Sequence, residues 1–526
     1  MRCPGLLFLP FAALVASPAP AETRLEVLAR VGPWPVVSQL VGYDGRVWFA
    51  NSVKGRNHNS ADIHSYGPAD GEVRYERHLF SQDAGKPVVA DGLLYWPFED
   101  SRVSLGWGHF MVTNGRDWRY GAIPTALSFH THAMAAAGGR LVAATSAWRA
   151  GLQASDDAGS TWREVYDHPT ANRRLSRIYE MAALGQVLFA PIVDRSSDPP
   201  TRRLLQLAGG GVGEVPDWPA QRIVLGMAPF DGWLYAAVRQ DDGAAIWRTD
   251  GRISEQVVGP RAGWRLRDLD AGPNGLWALE AAGDSGRLWF SADGRTWRVD
   301  RTMDGGQPQD LLVYGGAPYV GGAGADGQGI LWGGAGPPAV PAAARRPLPP
   351  IPAGPPRNWP ALAAEIDALL ARPKSYDRHG RVLRDALHRA VISSPPPGWL
   401  AARLSAAMPD RRLSLIGGAV TVPAHKLGQW AVLWAMALAR QGPVPVDLIA
   451  TPWTAPDNGS EKYFEPAPAA IWAAAMAGQN DPETVATLID RLDRPGDPPW
   501  LQGDVIGALT ALTGRRFGYD TAAWRD

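Results

Sequence analysis

Apolar and polar positions alternate with a period of two over most of residues 23 to 335, and the alternating runs recur at a steady interval. The runs are GYDGRVWFA ending at Ala50, VADGLLYWP at Pro97, AAGGRLVAA at Ala144, ALGQVLFAP at Pro191, PFDGWLYAA at Ala237, GPNGLWALE at Glu280 and YGGAPYVGG at Gly322. Each joins an apolar lead-in to an apolar strand through a glycine turn. The turn glycines Gly45, Gly92, Gly139, Gly185, Gly232, Gly275 and Gly316 are spaced 47, 47, 46, 47, 43 and 41 residues apart. Seven units of this period suit four short strands each, the size of a propeller blade. The alternating stretch TRLEVLARV, residues 23 to 31, precedes the first unit, and the seventh runs out at GILWGGAGPP. This predicts that the N-terminal strand completes the last unit and so removes two sheet edges.

After residue 336 the pattern changes. Ten prolines fall within 24 residues of PPAVPAAARRPLPPIPAGPPRNWP, which reads as a semi-rigid linker crossed by few contacts. Beyond it NWPALAAEIDALLAR, RVLRDALHRAV, GQWAVLWAMALARQ, APAAIWAAAMAGQ, PETVATLIDRLD and GDVIGALTALTG space their apolar residues as helices do. Helix pairs joined by short turns predict an α-solenoid. The end of the chain, ALTALTGRRFGYDTAAWRD, resembles the closing unit of bacterial HEAT-like repeats, which implies a scaffold and no chemistry. The chain is thus expected to be multidomain: an all-β seven-bladed propeller over 22–336, a linker over 337–358 and an all-α HEAT-like segment over 359–526.

The first 21 residues, MRCPGLLFLPFAALVASPAPA, combine a positive Arg2, an apolar run from Leu6 to Val15 and a small-residue cleavage site ending at Ala21. They read as a secretory signal peptide, with a periplasmic or secreted destination. Cys3 is the single cysteine, so the mature chain is expected to have no disulfide and no thiolate ligand. Lys plus Arg and Asp plus Glu balance at 52 each, which gives no electrostatic reason to expect a nucleic-acid partner. The run Leu427 to Ala439 is too short to span a membrane and reads as a buried helix.

The stretch SDDAGSTW, Ser155 to Trp162, resembles the Asp box of sialidases and of many other β-propellers. A shorter copy holds Ser291, Asp293, Gly294 and Trp297. The turn chemistry is structural: Asp157 accepts from amides of its own turn, Gly159 permits a positive φ, and Trp162 returns to the core. Sialidases of that group also clamp a carboxylate with three arginines, the first in an Arg-Ile-Pro or Arg-Leu-Pro motif near the N-terminus. Nothing before Arg102 has that form, and sialidases have six blades against seven units here. The resemblance therefore implies the fold, in the manner of exported bacterial Asp-box propellers, and not the activity.

Six of the ten histidines, His58, His64, His78, His109, His130 and His132, fall within residues 57 to 134 of the first three units. His130 and His132 lie two apart on a predicted inner strand and are expected to face the same way. Such a pair suits a divalent metal as well as a plain polar role. With His58, His78, Asp83, Glu99 and Asp100 they form the candidate ligand or metal site. Lys86, Arg177, Arg267, Asp268, Gln309 and Asp310 are further polar inner-strand positions, and Trp96, Trp107, Trp118 and Trp148 are candidates for stacking on sugars. The reading favoured is an exported scaffold or binding protein with a protein or glycan partner, its polar propeller face over units one to three and its helical repeats a second surface. The alternative is a carbohydrate-active or metal-dependent hydrolase with its site over the same units.

Overall fold

The computed structural model describes residues 23–53, 61–99, 106–125, 128–147, 149–169, 175–219, 222–240, 243–261, 263, 265–334, 346–351, 354–355, 357–371, 381–405, 412–415, 420–453 and 465–526. The expected signal segment, His58, Asp100 and Trp148 lie outside them. The described residues are mostly β-sheet in a propeller-like arrangement, with α-helices confined to the C-terminal region.

The repeated turn explains the β-part. Val36–Tyr43 turns into Arg46–Ser52 through Asp44 and Gly45, whose φ values are 49° and 74°. Positive φ at both central residues is the type I′ geometry that matches the twist of an antiparallel hairpin. Asp91-Gly92 and Asp231-Gly232 repeat the device with the same signs. The sixth unit differs: Pro273 and Asn274 form the turn between Leu266–Gly272 and Gly275–Ala282, so Gly275 opens the second strand.

The hairpins grow into meanders of four strands, the seventh with three of its own and Glu26–Val31 as its fourth. The first is Val36–Tyr43, Arg46–Ser52, Ala61–Tyr66 and Val73–His78, and the third is His130–Ala137, Arg140–Ser146, Ala150–Ser155 and Arg163–Asp167. Glu26–Val31 pairs antiparallel with Gly329–Gly333, as the alternation predicts, so the N-terminal strand and the last unit share one sheet. Thr23–Arg24 continues alongside Arg301 and Thr302. Apolar layers fill the spaces between sheets: Ala133, Val142 and Leu152 of the third meander meet Ile178, Leu188 and Leu205 of the next.

The first strands lie side by side, and their polar residues tie neighbours together. Asp268 accepts from the Leu311 amide at 2.9 Å, and Asp310 accepts from the Leu40 amide at 2.9 Å. Both aspartates follow a bulge in their own strand, which turns the carboxylate towards the neighbouring backbone. Two of the polar inner-strand positions are thus bonded to backbone amides.

The helices are α1 (Trp359–Ala371), α2 (Arg381–Val391), α3 (Ala424–Ala439), α4 (Val446–Ala450), α5 (Pro466–Ala477), α6 (Pro482–Arg491), α7 (Pro499–Thr513) and α8 (Thr521–Arg525). α6 starts where Asp481 caps the Thr484 amide, and α5 and α7 stop at left-handed Gly478 and Gly514. α3 packs on α5, and α5 on α7.

The helical region does not stand apart, contrary to the expectation from its linker. Tyr75 and Phe80 of the first meander belong to the same apolar core as Trp430, Trp434, Trp472 and Leu509, with Tyr120 packed against it. Trp472 stacks on Phe80 at 5.7 Å and meets Tyr120 edge-on at 5.1 Å. α7 lies on Val73–His78 so closely that a Cβ on Gly507 would stand 2.7 Å from the His78 Cβ. Described residues of the linker also bond the β-part: Ser160 donates to the Pro350 carbonyl at 2.9 Å, and Asn114 to that of Arg346 at 3.0 Å. Proline lowers the conformational freedom of a segment but does not stop apolar faces on either side of it from meeting.

Candidate functional site

Three of the predicted residues converge. Glu99, His130 and His132 line one cleft of about 180 Å³ with Gln82, Leu175, Arg177, Tyr179 and Arg195. The expected strand alternation does not hold through the histidine pair, because a bulge falls between Thr131 and Ala133. The rings nonetheless stack, with centroids 5.5 Å apart and planes 12° from parallel. The bulge also frees the His132 carbonyl, which accepts from the Lys86 amide of the preceding unit at 2.8 Å. Gly85 permits that approach, since a Cβ there would lie 2.2 Å from the same oxygen.

His130 Nδ1 bonds the Glu99 carbonyl at 2.9 Å, and His132 Nε2 bonds the Ser146 hydroxyl at 2.9 Å. The Glu99 carboxylate stands 4.0 Å from His132 Nδ1. Burial, with the Arg177 charge beside it, lowers the His130 pKa to about 4, and the same causes with His130 itself hold His132 well below the ordinary imidazole value. Both rings are therefore neutral at pH 7, able to donate from one nitrogen and accept at the other. Tyr179 meets His132 edge-on at 4.9 Å and leaves nearly half of its surface, 47%, open to solvent. The cleft thus offers neutral hydrogen-bonding rings, two arginines, one carboxylate and an exposed aromatic. Among the described residues no group of three or more His, Cys, Asp or Glu is placed to hold a metal ion.

The other predicted residues lie elsewhere. Asp83 is buried and caps the Ala84 amide at 2.8 Å, while its carbonyl accepts from the Glu99 amide. His78 is fully buried and faces the helices: Nδ1 bonds Asp62 at 2.8 Å and Nε2 bonds Asp504 at 3.0 Å. Trp96 and Trp107 are buried, which corrects the expectation that they stack on sugars. Tyr179 supplies an exposed ring that the sequence reading missed, because it follows the short strand Ser176–Ile178 and no periodicity marks it.

In the Asp boxes the bonds of the serine, aspartate and tryptophan close each hairpin on itself. Asp157 accepts from the Thr161 amide at 2.8 Å and its hydroxyl at 2.6 Å, Ser155 donates to Asp157 at 2.8 Å, and Trp162 donates to the Gly159 carbonyl. Asp293 repeats this with Arg295, Thr296 and Ser291, and Trp297 with Gly294. The amides of Thr296 and Arg295 hold the Asp293 carboxyl well below the usual carboxylate range.

Lys86 is ringed by opposite charge. Burial works against its ammonium, yet Asp268, Asp310, Glu180 and Asp270 outweigh it and raise its pKa. Burial in turn raises Asp270 to about 6. These groups balance one another inside the ring of first strands. No helix among the described residues is long and apolar enough to cross a membrane.

No family model matches the chain, and no curated protein matches it. Among solved structures, the Neurospora crassa Pan2 WD40 domain is 10% identical, with a TM-score of 0.42, covering 62% of this chain and 100% of that one. The β-propeller domain of the Trilobed protease from Pyrococcus furiosus is 9% identical, with a TM-score of 0.41, covering 57% and 95%. The WD40 β-propeller domain of Doa1 is 12% identical, with a TM-score of 0.39, covering 59% and 97%.

Proposed function

We propose that the chain is an exported binding protein that holds a small acidic sugar, or the acidic sugar unit of a glycan, in the cleft of His130 and His132. In this reading residues 1–21 are the export signal, 22–336 a seven-bladed Asp-box propeller and 359–526 a HEAT-like segment fastened to it. The four-strand meanders at the repeat interval support the propeller assignment, and the serial packing of α3, α5 and α7 supports the HEAT-like one. The Asp boxes, with their bonds turned inward on their own hairpins, serve the scaffold.

The observation that carries the ligand reading is the convergence of Glu99, His130, His132, Arg177, Tyr179 and Arg195 on one cleft. Two guanidiniums against one carboxylate favour an anion, neutral imidazoles suit hydroxyls, and an exposed tyrosine offers a sugar its flat face. Saturation-transfer NMR on the full chain with glucose, galactose, glucuronate and galacturonate tests it. Transfer to the uronates, lost in the His130→Gln, His132→Gln double variant with its melting temperature kept, is expected. Equal transfer in parent and variant, or none to any of the four, counts against the reading.

A further inference from the structure

A second cavity, of about 310 Å³, lies between the β-part and the helices. Its wall is mainly apolar and aromatic: Trp107, Tyr120 and Trp162 from the meanders, and Val391, Trp472 and Met476 from the helices. This size and lining are those of small-molecule pockets.

Its polar groups are unusual. His109 is fully buried, and neither ring nitrogen has a hydrogen-bond partner. Arg119 is also buried, with Nε and Nη2 unpartnered and Nη1 reaching only the Pro350 carbonyl at 3.5 Å. The Trp472 indole N–H is buried without an acceptor. Arg440 enters from the end of α3 and donates to the Tyr120 carbonyl at 3.1 Å. Burial and the nearby charge of Arg119 lower the Arg440 pKa to about 10, so the two guanidiniums feel each other. Among the described residues lining the cavity there is no carboxylate. Arg119 is buried and Arg440 half-buried, and the Asp157 carboxylate that acts on Arg119 is not part of the cavity wall. Two cations and several unused donors facing a wall without a carboxylate carry a cost that a bound anion removes.

We infer that this cavity binds a small amphipathic anion, its apolar or aromatic body against Trp107, Tyr120, Trp472 and Met476 and its acidic head between Arg119 and Arg440. His109, held neutral by burial, is free to donate to or accept from the same head. This site is independent of the histidine cleft and stands whether or not that cleft binds sugar. Because residues of both parts build the wall, the ligand would also fasten the helices to the β-part.

The test uses the full chain and two fluorescent probes. Expected is saturable one-to-one binding of 1-anilinonaphthalene-8-sulfonate, weakened about tenfold or more by Arg119→Gln and by Arg440→Gln. Binding of uncharged N-phenyl-1-naphthylamine should change far less in these variants, and Ala439→Phe, which fills the cavity from α3, should remove both. Displacement from the unaltered chain needs no variant to fold: 2-naphthoate should compete with the sulfonate about tenfold more strongly than 2-naphthalenemethanol, which has the same apolar body without the charge. No saturable binding, equal competition by acid and alcohol, or undiminished sulfonate affinity in folded Arg119→Gln overturns the inference.

Discussion

His78 Nε2 and Asp504 Oδ1 stand 3.0 Å apart although 426 residues separate them. The same ring bonds Asp62 through Nδ1, and Asp62 in turn accepts from Trp34 Nε1 and the Tyr519 hydroxyl at 2.8 Å each. Burial works against a charged His78, yet the bonds to Asp504 and Asp62 outweigh it and raise its pKa. An imidazole between two buried carboxylates thus pins α7 to the first meander.

Breaking that link leaves His78 paired with Asp62 alone and its Nε2 buried without an acceptor. Asp504→Ala should therefore cost about 1.5 to 3 kcal/mol in urea unfolding. Gly507→Leu should act at the same seam by pushing α7 off His78, at a cost of about 1 to 3 kcal/mol. Both variants should also be cut by protease faster than the parent. An unchanged urea midpoint in both would mean that the seam is not held here.

A chain ended near Pro338 should behave poorly. It uncovers Tyr75, Phe80 and Tyr120, which the helices otherwise cover. Aggregation on size exclusion, or a lowered melting temperature, is expected. A monodisperse product that melts like the parent would show the β-part to be self-sufficient.

Acid should destabilise the protein through its buried histidines. Burial lowers His64 to about 4 and His109 to about 3, and His130 titrates near 4 for the causes given above. In the unfolded chain each takes a proton near 6.5, so below that pH the unfolded state binds protons that the folded state refuses. Stability then falls from pH 6.5 towards 4, by about 2 kcal/mol at pH 5 for His64 alone. His78 has the opposite sign: its contribution is complete below 6.5 and fades as pH rises through its raised value. Asp270, raised to about 6, and the raised carboxyls of Asp268, Glu180 and Glu76 also oppose the fall, since each takes up its proton more readily in the folded state. The four depressed histidines, His132 included, are expected to outweigh these and His78 together. Urea midpoints at pH 8, 7, 6 and 5 should drop below 6.5, and a flat profile would contradict this balance.

Loss of an Asp box should weaken the fold and spare the cleft. Asp157→Ala removes the acceptor of the Thr161 amide and hydroxyl, and should cost about 1 to 2 kcal/mol. Trp162→Ala removes a ring that meets Phe110 edge-on at 5.6 Å and should cost about 2 to 4 kcal/mol. Uronate transfer to the folded protein should persist in both. An Asp157→Ala protein of full stability that had lost its transfer would make the Asp box a site.

The sequence by itself determined what depends on near neighbours. The Asp-Gly turns, the alternating strands and the Asp-box bonds are settled within a few residues, so the repeat interval shows directly in the chain. The helices and their glycine stops are legible for the same reason. The pairing of Glu26–Val31 with Gly329–Gly333 was also readable, because an unpaired strand and an incomplete unit each need the other. Only the tertiary structure decided that His78 leaves the expected site for Asp504, that His130 stacks on His132 across a bulge in their strand, and that the linker lies against the Asp box at Ser160. Those outcomes depend on which apolar faces meet across hundreds of residues. Burial is non-directional and names no partner in advance; the fit of Gly507 against His78, and of Trp472 against Phe80, selects one.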